Sequence, residues 1–531
     1  MNGSPTLTAT GLPYEPKRAR ELLVIFAVMA LMVTYVETMV LPAFKQFVTF
    51  FQLNPASADG TVAWILAAYL LVGTVVVPIF GKLGDLYGKK RMLLIAMSVY
   101  AFAVSVAGFT PNLGAALGVS RPNQIYLLIG ARAVQGIGLG MFPLAFAMIP
   151  EAFPAPRVAQ GQGVISAMFA AGAALGLAGG GWIAQAYGWQ LTYHTVIPLA
   201  ITLVILSAWL LRESPVHGNP ILDIPGVVSL GFGLANLLVG ITEGATWGWT
   251  SLSAARFFGL PWGVPQFLIL AVVGFAFFAV WEPRSKNPVI RFEALKPRNI
   301  FISNVNGVLV GALMFFAFTS VVILAETPFG PGLGVSEFTF GLLALPSALS
   351  MLALGPFLGK AVSQWGPKPV TLLGFALMAV GGACLLRFDQ TTYELAAFMV
   401  PLMVGNVAVL IAMSNMIVLS VDRRELGVQT GMNQTFRNLG TALAPVATTS
   451  ILDSLTASYF YHGFPVRSPD AMGFQVVFAI VVGLSLLGLV IGVALHNYRF
   501  LADGSRSTSA PGATGTPAPG PSVGPLETAR P

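Results

Sequence analysis

Apolar runs of about 20 residues, each long enough to cross a bilayer as a helix, follow one another along this chain. Of its 531 residues only 9% are charged and 55% are hydrophobic, whereas soluble domains carry about 25% charged residues. The chain is therefore predicted to be an all-α polytopic membrane protein. Fourteen transmembrane helices are predicted, at residues 21–43, 62–80, 91–110, 124–150, 158–187, 192–211, 224–242, 265–282, 301–325, 337–362, 369–387, 392–418, 431–455 and 472–495.

Lysine and arginine are distributed unevenly between the two sides of these helices. Of the 28 basic residues, 21 fall on the side that holds the N-terminus, five fall on the opposite side and two lie inside helices. Because cytoplasmic loops are enriched in these residues, both termini are predicted to be cytoplasmic, in a multi-pass protein of the plasma (inner) membrane. The net charge of +7 is thus an orientation signal, and no nucleic acid is expected as a partner.

Neither end of the chain is predicted to form a folded domain. Residues 1–20 lack the apolar core and cleavage site of a signal peptide, so they are assigned to a cytoplasmic tail and the first helix is expected to remain as an anchor. Residues 497–531 are assigned to a disordered cytoplasmic tail, because the last 30 residues are rich in Pro, Gly, Ser and Thr. The single cysteine excludes an internal disulfide, and the four histidines are too scattered for a metal site.

A glycine-rich loop, residues 81–91, follows the second predicted helix. Its glycines let two helix ends approach and turn sharply, and its basic residues hold it on the cytoplasmic side. Asp85 is the exception, and we expect it to pair with these cations or to cap a neighbouring helix. The pattern resembles the signature loop of the major facilitator superfamily. The residues that carry the resemblance are Gly81, Asp85, Gly88, Lys89, Lys90 and Arg91.

The same pattern recurs at residues 359–368, where Ser363 stands in place of the acid. This repeat divides the chain into two six-helix bundles, residues 21–211 and 301–496, joined by a linker at 212–300 that carries two extra helices. Transporters built from two such halves bind substrate at their interface and rock one half against the other. A transporter is therefore predicted. An enzyme is not, because no nucleotide-binding loop, nucleophile elbow or metal motif is present.

The fourth predicted helix contains an arginine near its middle. Placing arginine there costs ~2.5–3.5 kcal/mol on insertion scales, so Arg132 should face a polar interior and have a partner. Leu128, Arg132, Gln135, Gly136 and Gly138 together resemble the fourth-helix motif of proton antiporters of the superfamily, which implies a role for this arginine in proton transfer. The alternative is a structural ion pair or backbone clamp.

The fifth predicted helix carries glycines at helical intervals, which favours close packing and a local bend. The spacing resembles the motif of drug-exporting antiporters, which symporters of the superfamily generally lack; ordinary close packing is the alternative. Leu177 replaces the proline that follows the third glycine in the family, so a softer bend is expected. The second half echoes the spacing at Gly431, Gly440 and Pro445. The motif residues are Gly163, Gly172, Gly176, Gly180 and Gly181.

Glu37 lies between Val36 and Thr38, in an otherwise apolar segment of the first predicted helix. The family usually has an aspartate nine residues before the closing proline, which corresponds to Val33 here, and Glu37 lies one helical turn later. Desolvation disfavours the charged form of a carboxylate in hydrocarbon. Glu37 is therefore the best candidate for the proton carrier or for the counter-charge to a cationic substrate. The alternative is a structural partner of Arg132 or Arg437.

Other polar residues fall into two groups. Arg437 on the thirteenth helix has Asn433 and Gln434 nearby, and this polar stripe is expected to face a central cavity. Three carboxylates lie near the outer ends of helices, where water is expected to reach them and a functional role is less expected. They are Glu243, Glu326 and Asp453.

Together these features resemble the fourteen-helix drug:proton antiporter branch of the superfamily. The resemblance implies multidrug efflux and antibiotic resistance by alternating access, driven by the proton motive force without a cofactor or metal. The expected partners are small lipophilic cations, protons and the bilayer, and the chain is expected to act as a monomer. Export of a lipid, siderophore or other metabolite is the alternative, and proton symport a weaker one. The resemblance also implies that Asp85 docks near residues 427–431 and latches the outward-facing state.

Overall fold

The computed structural model describes residues 7–8, 13–53, 55–154, 157–214, 221–257, 260–290, 292–328, 330–387, 391–421, 426–461, 464–500 and 506–508. Long helices account for most of it. They are α1 Pro16–Thr38, α2 Pro55–Tyr87, α3 Lys89–Gly108, α4 Gln124–Gly136 with Met141–Ala152, α5 Val158–Leu175 with Gly181–Tyr187, α6 Trp189–Leu210, α7 Ile224–Trp247, α8 Val264–Trp281, α9 Arg298–Glu326, α10 Glu337–Trp365, α11 Pro367–Arg387, α12 Thr392–Ser420, α13 Leu426–Ser454 and α14 Ala471–Val493.

Each predicted span coincides with one of these helices. Thirteen are long and apolar enough to cross a membrane, counting only the described residues. The remaining one, α13, is 29 residues long but more polar, and it packs between α2 and α9. A helix that faces protein on two sides tolerates polar residues that lipid would exclude. The prediction of an all-α membrane protein with fourteen long helices is confirmed.

Short elements connect the long helices. Helical turns lie at Leu41–Ala43, Phe44–Phe50, Thr110–Ala116, Arg121–Asn123, Glu282–Arg284 and Phe292–Leu295. Antiparallel strand pairs are β1 Ala255–Phe257 with β2 Leu260–Trp262, β3 Thr456–Tyr461 with β4 Phe464–Pro469, and β5 Tyr498–Phe500 with β6 Arg506–Thr508. The last pair falls in the tail predicted to be disordered. Residues 501–505 and 509–531 of that tail lie outside the described part of the chain.

Two helices change their winding at glycine-rich segments. In α4 a 3-10 turn, Ile137–Gly140, separates the two α-helical parts, and in α5 a π-helical turn, Gly176–Gly180, does the same. The turn in α5 contains Leu177, where the family proline would stand. The helix therefore departs from regular geometry at this motif without a proline, as π turns often do near functional sites.

The buried apolar residues form two principal cores. One lies within α1–α6 and the other mainly within α9–α14, as expected for two repeated halves. A smaller cluster joins α7 and α8 to α13 and to the segment after α8. In this cluster Val289 and Ile290 are almost fully buried beside Val428 and Met432. The extra helices thus pack on the outside of the junction between the halves.

We call the face at which α1 begins and α14 ends the inner face; the charge pattern predicts it to be cytoplasmic. Near this face the halves meet through α5 and α10 and through α2 and α13. A β-carbon at Gly163 would lie 2.7 Å from the carbonyl oxygen of Gly355, and one at Gly359 would lie 2.5 Å from that of Ala159. Only glycine permits such backbone approach, so the inner face is closed in this conformation.

Candidate functional site

A cavity lies between the two halves, at the middle of the membrane-spanning helices. It is divided into three adjoining parts of about 60, 40 and 80 Å³, which share lining residues on α1, α5, α9 and α13. These volumes are far below the ~300–1,000 Å³ of pockets for drug-sized ligands. In this conformation the cavity is therefore too small to hold a drug-sized substrate.

We call the part of about 80 Å³ the outer part and the part of about 60 Å³ the central part. The walls of the outer part are largely apolar and flexible. Methionine supplies much of this surface, and its unbranched, polarizable side chain adapts to ligands of different shape. The described lining suits a lipophilic ligand that also contacts a few polar side-chain atoms. The apolar residues include Met314, Phe315, Phe318, Met351, Met399 and Met403, and the polar ones are Glu37, Thr38 and Ser347.

Glu37 lines both the central and the outer parts of the cavity. Its side chain is half-buried on α1, near the point where α1 meets α5. In the described part of the chain, no lysine or arginine nitrogen lies within salt-bridge distance of its carboxylate. In this conformation Glu37 therefore has no direct ionic partner and is open to the cavity.

Arg132 joins three helices of the first half. Its Nε donates to the carbonyl oxygen of Ile65 on α2 at 3.0 Å, and its Nη1 donates to that of Val36 on α1 at 3.4 Å. Nη1 also donates to Oε1 of Gln135 at 2.9 Å, and the guanidinium lies 4.5 Å from the ring centroid of Tyr69. This fully buried arginine therefore binds the backbones of α1 and α2 to α4, and it places a positive charge beside the helix that carries Glu37. Its role in proton transfer stays a prediction.

The polar stripe of α13 faces the cavity. Asn433, Gln434 and Arg437 are among the lining residues, and the guanidinium of Arg437 lies 5.3 Å from the ring centroid of Phe169 in the opposite half. Its Nε is buried and has no hydrogen-bond partner among the described residues. Asn433 donates to Oδ1 of Asn304 on α9 at 3.2 Å. The stripe thus places a cation and amide groups on the side of the cavity that the second half forms.

Three amide residues belong to this region but are absent from the predicted set. Asn406 on α12 lines the cavity and donates to the carbonyl oxygen of Val310 at 3.1 Å. Nearer the inner face, Nδ2 of Asn415 donates to Oε1 of Gln162 at 2.8 Å, and this buried bond crosses between the halves. Amides inside long apolar helices are the sequence signal that indicates such positions.

The glycine motif of α5 packs against α1. A β-carbon at Gly172 would lie 2.2 Å from the carbonyl oxygen of Leu31, and one at Gly180 would lie 2.5 Å from the β-carbon of Met39. Gly176 and Gly181 face the same helix and its continuation, whereas Gly163 faces the other half. The motif therefore brings α5 onto the helix that carries Glu37 and also helps to close the inner face.

The prediction of a loop at residues 81–91 is wrong, because α2 continues to Tyr87 and α3 begins at Lys89, which leaves only Gly88 outside a helix. This signature segment forms a polar network on the inner face. Nζ of Lys89 lies 2.6 Å from Oε1 of Glu151 at the end of α4, and this pair is buried. The carboxylate of Glu213, after α6, accepts hydrogen bonds from the backbone N–H groups of Lys90 and Arg91. Gly88 has φ +105°, and a β-carbon there would lie 2.6 Å from this carboxylate. Glycine is thus required at the turn.

Two residues of the signature segment, both in the last turns of α2, reach beyond the first half. Oδ2 of Asp85 accepts a hydrogen bond from the N–H of Val428 at 3.2 Å, in the first turn of α13. Nζ of Lys82 donates to the carbonyl oxygen of Pro288 at 2.7 Å, in the segment that follows α8. The N-terminus of a helix has free N–H groups and favours a negative charge, which explains the position of Asp85.

Asp85→Asn is expected to slow transport about tenfold or more without abolishing substrate binding. A hydrogen bond to a charged group contributes ~1.5–3 kcal/mol, so its weakening shifts the population away from the state that is closed at the inner face. Turnover and substrate affinity in proteoliposomes measure the two effects separately. Ser363→Ala is the control, because among the described residues the Ser363 hydroxyl donates only to the carbonyl oxygen of Gly359, in its own helix. Wild-type turnover in Asp85→Asn would contradict the latch role.

The expectation for Glu243 is wrong. Helix α7 continues to Trp247, so Glu243 lies inside the helix, and it is only 6% exposed. Its Oε1 accepts a hydrogen bond from Nε1 of Trp64 on α2 at 2.7 Å. Burial follows because the extra helices pack on α2, a contact that the local sequence does not reveal. Glu326 is half-buried, and the side chain of Asp453 lies outside the described part of the structure.

Comparisons with known proteins agree with this fold. The Multidrug transporter protein MdtP of Bacillus subtilis (strain 168) is 29% identical over 381 residues, which cover 71% of this chain and 66% of that protein. The chain thus spans about two thirds of that relative's length. The Tetracenomycin C resistance and export protein of Streptomyces glaucescens is 27% identical over 434 residues, covering 81% of this chain and 74% of that protein.

The fold and the family follow from two further matches. The solved structure of the proton:xylose symporter XylE matches with a TM-score of 0.60 at 14% identity, covering 89% of this chain and 96% of that one, which shows the fold alone. The family model described as Major Facilitator Superfamily matches residues 26–302 and 307–520. Since these residues are most of the sequence, and the relatives are transporters rather than enzymes, the chain belongs to the major facilitator superfamily.

Proposed function

We propose that the protein is a proton-coupled multidrug efflux transporter that exports lipophilic cations across the plasma membrane, with both termini in the cytoplasm. One observation carries the proposal: Glu37 is the carboxylate among the described residues that line the apolar cavity between the halves. A buried negative charge is costly unless a cation or a proton accompanies it. Substrate and proton therefore compete for this group.

The competition supplies the coupling. When Glu37 is deprotonated, its carboxylate is the counter-charge that a lipophilic cation lacks in the membrane. When a proton arrives from the outer side, the carboxyl group becomes neutral and the cation loses this attraction. Arg132 holds α1, α2 and α4 together around Glu37 through the carbonyl oxygens of Val36 and Ile65. Each cycle then exchanges substrate outward for proton inward, driven by the proton motive force.

Alternating access requires the inner face to open and close. In the present conformation the Asp85–Val428 and Gln162–Asn415 hydrogen bonds join the halves near that face. An inward-open state has to break both, and substrate then enters from the cytoplasm or the inner leaflet. Both bonds lie within one chain, so a monomer suffices for this cycle.

The names of the relatives support export rather than uptake. One relative is named a multidrug transporter and another a resistance and export protein for tetracenomycin C. Neither name gives the coupling ion or the charge of the substrate. The support for proton coupling and for cationic substrates therefore comes from Glu37 and from the motif resemblance at Arg132 and the α5 glycines.

Glu37→Gln is expected to bind ethidium more weakly and to release no proton on binding, whereas the wild-type protein releases protons. The experiment adds ethidium to purified, detergent-solubilised protein in weak buffer and records the pH change together with ethidium binding. Glu243→Gln is the matched control, since it removes a buried carboxylate outside the cavity, and it should release protons like the wild type. Binding without proton release in the wild type would overturn the antiport mechanism.

A second function is favoured by one observation: Arg437 lines the cavity, and its buried Nε has no hydrogen-bond partner in the part of the chain that the structure describes. A buried guanidinium with a free donor suits an anionic oxygen of a substrate. The protein would then export an anionic metabolite, such as a lipid or siderophore, on the same fold. Failure of every lipophilic cation to bind, together with binding of an anionic aromatic compound that Arg437→Gln abolishes, would establish this alternative.

A further inference from the structure

A cavity separate from the central site lies near the inner face, between the segment that follows α8 and the helices α9 and α13. We call it the linker groove. Its volume is about 480 Å³, against about 60 Å³ for the middle part of the central cavity. Such a volume falls in the range of ligand pockets, ~300–1,000 Å³. Its lining includes Phe292, Leu295, Lys296, Val305, Val308 and Phe436.

The groove extends along most of the depth of one lipid leaflet. Along α9 its lining runs from Phe301 to Leu309. At 1.5 Å per residue, this stretch of helix spans about 12 Å. Half of a hydrocarbon core of ~30 Å is about 15 Å. An extended chain in the groove would therefore cover most of the depth of the inner-face leaflet.

The charge of the groove is concentrated at its mouth. Lys296 is the charged residue in the described lining, it is exposed, and no described carboxylate lies within salt-bridge distance of it. The surrounding segment, residues 282–298, has five basic and two acidic side chains. One of the two acids, Glu282, is buried and accepts a hydrogen bond from the N–H of Ile290. The surface beside the mouth is thus cationic.

We propose that the linker groove binds one acyl chain of an anionic phospholipid from the inner-face leaflet, with the lipid phosphate on Lys296. The apolar walls match the chain, and the cationic mouth matches a headgroup with net negative charge. A zwitterionic headgroup would bind less tightly, because its own cationic group would face the same basic segment. The site does not depend on the proposed transport function, because binding is measured without transport.

The inner wall of the groove touches the central site. Asn304 lines the groove, and its Oδ1 accepts the hydrogen bond from Asn433, which lines the central cavity. Phe436, also in the groove, directly precedes Arg437 on α13. A lipid chain in the groove fills the space behind these residues. It therefore stabilises the packing of α9 against α13 and the position of the polar stripe.

The test is native mass spectrometry of the full-length protein, purified in detergent and titrated with phosphatidylglycerol or with phosphatidylcholine of the same chains. The wild type is expected to bind one phosphatidylglycerol more tightly than phosphatidylcholine. Lys296→Gln should weaken phosphatidylglycerol binding about fivefold, the effect of ~1 kcal/mol for one basic residue near an anionic lipid. Lys286→Gln removes the same charge from the same segment outside the groove, and it should bind like the wild type.

A second variant tests the acyl chain independently of charge. Val308→Trp fills the groove, so it should reduce binding of both lipids while leaving the thermal unfolding midpoint of the lipid-free protein within a few degrees. Equal affinity of the wild type for the two lipids, or unchanged phosphatidylglycerol binding in Lys296→Gln, would overturn the proposal. Binding of glycerol 3-phosphate as tightly as phosphatidylglycerol would also overturn it, because it would show a phosphate site without a lipid chain.

Discussion

Gly176→Val is expected to abolish measurable transport and to lower the yield of folded protein. A β-carbon at this position would lie 2.1 Å from Oγ1 of Thr38 and 2.4 Å from the carbonyl oxygen of Tyr35. The threonine side chain could rotate away, but the carbonyl oxygen belongs to the backbone of α1 and could move only with that helix. Overpacking costs ~1–3 kcal/mol where side chains can adjust, and more where a backbone blocks adjustment.

The displacement matters because α1 carries Glu37 next to Thr38. Oγ1 of Thr38 donates to the carbonyl oxygen of Ala173 at 2.8 Å, a bond that joins α1 to α5 directly. Moving α1 away from α5 breaks this bond and shifts the carboxylate relative to the cavity. Loss of the folded protein and loss of transport therefore have one cause, the separation of two helix backbones.

Gly179→Val is the matched control for Gly176→Val. It lies in the same π-helical turn, but a β-carbon there meets no heavy atom within 4 Å. We expect nearly wild-type yield and ethidium efflux from cells that express this variant. If Gly176→Val transported as well as Gly179→Val, the close packing of α1 on α5 would not be needed for function, and the glycine motif would lose its structural explanation.

Features that repeat along the chain could be predicted from the sequence. The fourteen helices follow from apolar length, since the bilayer imposes the same requirement on every spanning segment. The predicted span at 431–455, which corresponds to the more polar helix α13, also repeats the glycine spacing of α5. The polar stripe at Asn433, Gln434 and Arg437 is predictable for a related reason, because such residues must avoid lipid.

Contacts between distant segments could not be derived in this way. Asp85 and Val428 are 343 positions apart, and only the family resemblance indicates their meeting. Glu243 shows the opposite case, because its position near a helix end suggested exposure, whereas α2 covers it and Trp64 binds it. The linker groove also depends on how the segment after α8 folds back on α9. In each case the missing information is which helices are neighbours, which no local pattern contains.

Arg132→Lys is expected to reduce transport about 100-fold, although it keeps the positive charge. A guanidinium donates in several fixed directions at once, whereas an ammonium group is a compact charge on a flexible stem. Lysine therefore cannot donate at the same time to the carbonyl oxygens of Ile65 on α2 and Val36 on α1 and to the side chain of Gln135, as Arg132 does. At least one buried carbonyl loses its donor, at a cost of ~1–3 kcal/mol, and the position of α1 beside it becomes less defined.

The measurement is initial efflux rate in proteoliposomes with an imposed pH gradient, together with ethidium affinity of the solubilised protein. Arg121→Lys is the control, because Arg121 lies just before α4 and its exposed side chain contacts the Phe50 ring at 4.2 Å, which lysine can also do. It should transport at close to the wild-type rate. Because Arg132 is not one of the described residues that line the cavity, ethidium affinity should fall much less than the rate. A rate within about threefold of wild type in Arg132→Lys would mean that charge alone suffices at this position, and the clamp between α1, α2 and α4 would then not be required for coupling.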